Sequence, residues 1–203
     1  MREKGVMAMI YNGCEAAVKI AMLNGLWILF TVCGGIVLGW APSTAAMFTV
    51  VRKWLFGYTD LPLFKTFYQT YKKEFAKANG IGLILAAAGY ILFVNYQFFH
   101  IREDLFSIMI SYTTLLVGLA YAMVLIYIFP LYVHFELPFS RYFSQAVLIG
   151  LLRPLTTAGM AAAGGLVVCV LITVPGLIPF YGVSLFALVF MFITHRCFMR
   201  LEA

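Results

Sequence analysis

The sequence predicts an all-α, polytopic membrane bundle of about five spans, with an amphipathic helix lying at the membrane surface. Three observations carry this. The 203 residues are 64% hydrophobic and only 11% charged, with mean hydropathy +0.96; an ordinary soluble domain carries roughly 25% charged residues. No charge occurs between Lys19 and Arg52, or from Pro154 to His195. Basic and aromatic residues sit at the ends of such runs, first as Arg52-Lys53-Trp54. Placed this way, the net charge of +6 fits a lipid surface, and no nucleic-acid partner is expected. The chain reads as one membrane domain, 1–203.

Residues 1–19 mix Arg2, Glu3, Lys4, Glu15 and Lys19 with apolar residues, and Met7, Ile10, Cys14 and Ala17 recur at helical spacing. A helix lying at the interface or leading into the first span is expected. The acidic residues and the length of the apolar run do not fit a cleaved signal, so the span is read as retained. That first span is 20–40, close to the roughly 20 residues a crossing needs. Gly35 and Gly39 are spaced as a GxxxG packing face. Pro42 then restarts the chain as a helix, with Ser43 and Thr44 in its first turn.

Residues 43–79 are expected to be interfacial or cytoplasmic. Within them Asp60 and Pro62 open a helix at about 60–79. Phe64, Phe67, Tyr68, Tyr71, Phe75 and Ala78 form its apolar stripe, with Lys65, Lys72, Lys73 and Lys77 mostly off it. Aromatics ringed by lysines fit an interfacial helix on anionic lipid, or a surface for a protein partner. With Arg52 and Lys53, these lysines are the candidate docking residues.

The remaining spans are expected at 81–99, 108–132, 155–174 and 178–195. The charge-free run after Pro154 is too long for one crossing, and Pro175-Gly176 and Pro179 divide it. Five spans place the N-terminal segment opposite the 41–80 segment and the C-terminus. Of the fourteen basic residues, only Arg2, Lys4, Lys19 and Arg102 then fall on the N-terminal side. The positive-inside rule makes the C-terminal side cytoplasmic. A full crossing by 42–56 would move the N-terminus there too.

The stretch Leu23-Asn24-Gly25-Leu26-Trp27, followed by Ala41-Pro42-Ser43-Thr44-Ala45-Ala46 and Arg52-Lys53-Trp54, resembles the YesL family of bacterial integral membrane proteins. Phe67-Tyr68, Lys72-Lys73-Glu74-Phe75 and Phe129-Pro130-Leu131-Tyr132 extend the resemblance. It implies a small protein of the bacterial cell membrane, often encoded near carbohydrate-uptake and polysaccharide-degradation genes. It brings no activity and no agreed functional residues.

Chemistry is sparse. All eight acidic residues lie outside the expected spans, which disfavours transport driven by a buried carboxylate. Asn24, Asn95, Thr156 and Thr157 are the intramembrane polar candidates, for interhelical hydrogen bonds or for a neutral solute path. His134, Glu136 and His195 lie on one side, but their spacing does not make a zinc site. No phosphate loop, HExxH or GxSxG occurs. No catalytic group, metal or cofactor is expected, and the four cysteines form no CxxC pair. The expected function is therefore non-enzymatic: an accessory or regulatory component tied to carbohydrate uptake. It would contact lipid, a sugar-transporter membrane component and, in one arrangement, further copies of itself. The alternative is a small permease for a neutral solute such as a sugar.

Overall fold

A computed structural model describes residues 2–102 and 104–202, with side chains described for 11, 13–102 and 104–199. The described residues form seven α-helices, a 3₁₀ turn at Pro175–Leu177 and no strand. The helices are α1 Arg2–Cys33, α2 Trp40–Leu55, α3 Leu63–His100, α4 Leu105–His134, α5 Phe139–Leu152, α6 Pro154–Thr173 and α7 Ile178–Glu202. Five segments are long and apolar enough to cross a membrane: Gly13–Cys33, Leu63–His100, Leu105–His134, Pro154–Thr173 and Pro175–Met199. Large aliphatics stand open on their outer faces, Leu116 and Ile172 among them. Lipid is the solvent that such faces require, and the chain is an integral membrane protein. The side chains of Arg2, Glu3, Lys4, Met7, Ile10 and Arg200, and all of Glu103, lie outside the described residues.

The first span ends at Cys33, not at residue 40. Residues 34–39 form a tight turn, so Gly35 and Gly39 are not a helical packing face. Gly35 takes φ +73° and Ile36 follows at φ +65°, the left-handed region that glycine enters freely. A Cβ on Gly39 would sit 2.2 Å from the Thr31 carbonyl oxygen, and one on Gly34 would sit 2.4 Å from the Gly39 Cα. The glycines are there because two backbones cross.

That turn sends α2 back antiparallel along α1. The Trp27 indole N–H donates to the Thr44 hydroxyl at 3.0 Å, and the Lys19 ammonium donates to the Thr59 carbonyl at 3.2 Å. Ala41 through Phe48 are all buried, as are Val50 and Val51. The segment expected at the interface is thus the centre of the core, packed against α1, α3, α4 and α7. Small residues make this possible: Ala41, Ser43, Ala45 and Ala46 let four neighbours approach one helix.

The surface helix expected at about 60–79 and the span expected at 81–99 are one continuous α3 of 38 residues. At about 1.5 Å per residue it is about 57 Å long, well beyond a hydrocarbon core of about 30 Å. Its charge stops at Lys77, but its helix does not. Gly80 and Gly82 leave it unbroken, because the space beside Gly82 is filled by Ala41 and Trp40. The aromatic stripe is divided: Phe67 and Ala78 are buried, while Phe64 and Tyr68 are exposed. The Phe30 ring lies 5.3 Å from Phe67 and 5.0 Å from Tyr71, measured between centroids.

Helices α3 and α4 are antiparallel, tied where the Tyr121 hydroxyl donates to the Leu85 carbonyl at 2.9 Å. Asp104 caps α4, its carboxyl accepting from the Ser107 N–H at 3.0 Å and the Ser107 hydroxyl at 2.8 Å. Pro130 lies inside α4, which continues to His134. Helix α7 closes the bundle against α1. Lys19, Thr59 and Leu188 line one groove, and the Phe56 ring is 4.9 Å from His195. The N-terminal part of α1 and the C-terminal part of α7 therefore lie at the same end. The expectation of opposite sides fails because α2 doubles back along α1.

Candidate functional site

The end of the bundle that carries Phe56 and His195 also carries a polar cleft. It forms where α2 ends, where α3 begins, and where α4 passes into α5. Its volume is about 680 Å³. Arg52 and Lys53 reach it from the last turn of α2, where the helix dipole favours cations. Lys73, Glu74 and Lys77 reach it from successive turns of α3, and Glu136 from the link to α5. Four cations and two acidic residues leave the cleft basic.

The acid at its floor is held in place. The Tyr132 hydroxyl donates to Glu74 Oε2, and Lys73 Nζ lies 3.7 Å from Glu74 Oε1. Tyr142 shapes the rim, accepting from the Leu137 N–H and donating to the Phe135 carbonyl, both at 3.0 Å. Arg52 stacks over Phe56 with 5.2 Å from guanidinium carbon to ring centre, within the reach of a cation–π contact. Its Nε is buried and makes no hydrogen bond among the described residues. The His134 and His195 rings lie 6.3 Å apart beside Phe56. Among the described residues no group of three or more His, Cys, Asp or Glu could hold a metal ion.

Of the six basic residues singled out in the sequence, the structure brings Arg52, Lys53, Lys73 and Lys77 into the cleft. Lys65 and Lys72 are exposed outside it. The intramembrane candidates are scattered. Asn24 is buried between α1 and α7, where its amide bonds to backbone. Asn95 donates to the Ile91 carbonyl of its own helix at 3.0 Å. The Thr157 hydroxyl donates to the Gly150 carbonyl at 2.9 Å and pairs with the Tyr127 hydroxyl at 3.0 Å. Thr156 lines a separate groove between α6 and α7.

The family described as "Protein of unknown function, DUF624" matches residues 20–96. The Bacillus subtilis (strain 168) protein named "Uncharacterized protein YesV" is 54% identical over 96% of this chain and 93% of its own length. "Uncharacterized protein YesL" of the same organism is 33% identical over 93% of this chain and 89% of its own. The chain belongs to the YesL family. A third relative, "Uncharacterized protein YteU" of Bacillus subtilis (strain 168), is 32% identical over 100% of this chain and 90% of its own length. No solved structure matches.

The region of this YesL-family chain that matches DUF624 holds Asn24, the α1–α2 turn, all of α2 and the basic part of α3. The far wall of the cleft, Tyr132 to Tyr142, lies outside it. Sequence reading missed Glu74, Tyr132, Glu136 and Tyr142 as members of this site. The signal that could have found Glu74 is its place between Lys73 and Lys77. Tyr132 carried no such signal, because its partner is 58 residues away.

Proposed function

We propose that the protein is a non-enzymatic accessory or regulatory component of the bacterial cell membrane, working with a carbohydrate-uptake permease. The observation that supports docking is the basic cleft, built from three separate parts of the chain. Arg52, Lys53, Lys73 and Lys77 line it at the bundle end that holds the start of α1 and the end of α7. Such a surface suits an acidic segment of a partner, because opposed potentials steer encounter and fix register. The carbohydrate side of the reading rests on the resemblance of the sequence motifs to a family often encoded beside uptake genes.

The reading places this end, with the C-terminus, in the cytoplasm. The doubling back of α2 strengthens the charge argument. Arg102 is then the basic residue that belongs to the other end, at the α3–α4 link. The neutral-solute permease is the weaker alternative, since the amide of Asn24 and the hydroxyl of Thr157 are already committed to protein partners.

The test is co-purification in native lipid from cells grown on plant polysaccharide, with mass spectrometry of the recovered proteins. Stoichiometric recovery of a sugar-transporter permease, lost in a Lys53→Gln, Lys73→Gln, Lys77→Gln variant of unchanged melting temperature, supports the reading. Recovery of the protein alone, or sugar flux through liposomes holding only this protein, overturns it.

A further inference from the structure

A second basic site lies apart from the cleft, between the start of α6 and the last turns of α7. Arg153 and Arg196 line one groove of about 390 Å³, with Thr156 and Gly159 along its α6 wall. No acidic residue lines it, and neither arginine forms a salt bridge among the described residues. Two like charges are thus gathered in one depression with no counter-charge from the protein. Arg196 is held in position by its own helix, its guanidinium carbon 4.6 Å from the centre of the Phe192 ring.

The backbone adds to the positive field. Pro154 is the first residue of α6, and the N–H groups of Leu155 and Thr156 precede the first bond made within its turn, from the Thr157 N–H to the Arg153 carbonyl. Such a helix start favours an anion through both free N–H groups and the dipole. With two guanidinium groups, the chemistry is that of a phosphate oxyanion, which arginine binds through paired N–H donors.

What surrounds the groove decides the source of that phosphate. Leu151, Leu152 and Leu155 are 62%, 67% and 89% exposed immediately around Arg153. In a membrane protein such leucines meet acyl chains. Arg196 is the first charged residue after the charge-free run, in the part of α7 beside His134 and Phe56 where the polar end of the bundle begins. A ligand here has its charge at that boundary and its tails on the leucines.

We propose that the Arg153–Arg196 groove is a binding site for the headgroup phosphate of an anionic phospholipid. The site is independent of the basic cleft, which has neither the leucine collar nor the α6 helix start, and does not depend on the docking reading. Basic pockets between membrane helices hold anionic headgroups in this way. The lipid supplies the counter-charge and ties α6 to α7 at the end where the groove opens.

The experiment is native mass spectrometry of the full chain, exchanged into mixed micelles of detergent with equal phosphatidylglycerol and phosphatidylcholine. The unaltered protein is expected to retain phosphatidylglycerol at least tenfold over phosphatidylcholine. Arg153→Gln with Arg196→Gln is expected to abolish that preference. A Lys65→Gln, Lys72→Gln pair removes the same charge at two exposed positions outside both sites and is expected to leave it unchanged. Gly159→Phe keeps both arginines and fills the groove. A Cβ there meets nothing within 4 Å; the variant, taken at unchanged melting temperature, is also expected to lose the preference. Equal loss in the Lys65, Lys72 pair would reduce the effect to bulk charge and overturn the site. So would retention of phosphatidylglycerol by both groove variants. Displacement of the lipid by excess inorganic phosphate would reassign the groove to a free anion and overturn the lipid reading.

Discussion

Asn24 and Pro179, 155 residues apart, are joined by a 2.8 Å hydrogen bond from the Asn24 Nδ2 to the Pro179 carbonyl. The other side of the same amide accepts from the N–H groups of Val183 at 3.0 Å and Ser184 at 3.1 Å. A regular helix would pair the Pro179 carbonyl with the Val183 N–H. Here a side chain from α1 bonds to both of these groups, in the first turns of α7. One amide thereby fixes the first helix of the bundle to the last.

Replacing Asn24 by Leu keeps the branched shape of the side chain but removes three bonds in a place that water does not reach, since Asn24 is 1% exposed. Each unsatisfied buried group costs about 1–3 kcal/mol, and partial closure of the α7 turn recovers part of it. The expected result is a net loss of about 1–3 kcal/mol, read as a lower melting temperature in detergent. A melting temperature equal to that of the unaltered protein would show that α7 closes its own turn at no cost.

Gly39→Ala is expected to prevent the α1–α2 turn from forming. The new Cβ would meet the Thr31 carbonyl oxygen, backbone that cannot rotate away. The loss should exceed the ~1–3 kcal/mol of ordinary overpacking and appear as failure to recover monodisperse protein. Gly25→Ala is the control. Its Cβ meets nothing within 4 Å, and it should be neutral or gain roughly 0.5–1 kcal/mol of helix stability. Equal behaviour of the two variants would remove the steric account of the turn.

The cap on α4 predicts a pH dependence. Donation from the Ser107 hydroxyl and N–H holds the Asp104 carboxyl below its ordinary value of 3.8. A carboxyl lowered in the folded state stabilises the fold above its unfolded value. That stabilisation is lost as pH falls through the lowered folded value. Asp104→Ala should therefore melt below the unaltered protein at neutral pH, with the gap closing once the solution is more acidic than the carboxylate range. A gap of constant size across that range would show that the charge of Asp104 plays no part.

The membrane class and most helices were legible because lipid solvation leaves a compositional mark that needs no partner to be read. The spans in α4, α6 and α7 follow directly from charge-free runs. The position of α2 was not legible. Its alanines, Ser43 and Thr44 look mild by hydropathy, yet they are buried because four other helices surround them, and that is tertiary information. The break expected between Lys77 and Ile81 failed for a related reason. Charge marks where polarity ends, whereas a helix ends where its hydrogen bonds do. The basic half of the cleft was visible as Arg52, Lys53, Lys73 and Lys77, while Tyr132 and Glu136 arrive from a distant helix that no local spacing links to them.

The central place of α2 has a consequence for how the protein is made. A ribosome delivers α1 and α2 early and α7 last, yet α7 supplies one wall around α2. With Arg52 and Lys53 at its end and only 16 residues, α2 is a poor candidate for release into lipid by itself. It must wait, half-covered, until α7 is synthesised and docks. The interior of this protein is completed only when α7 has been made and docked, and a chain cut short before α7 carries an open seam for the cell's membrane proteases to find.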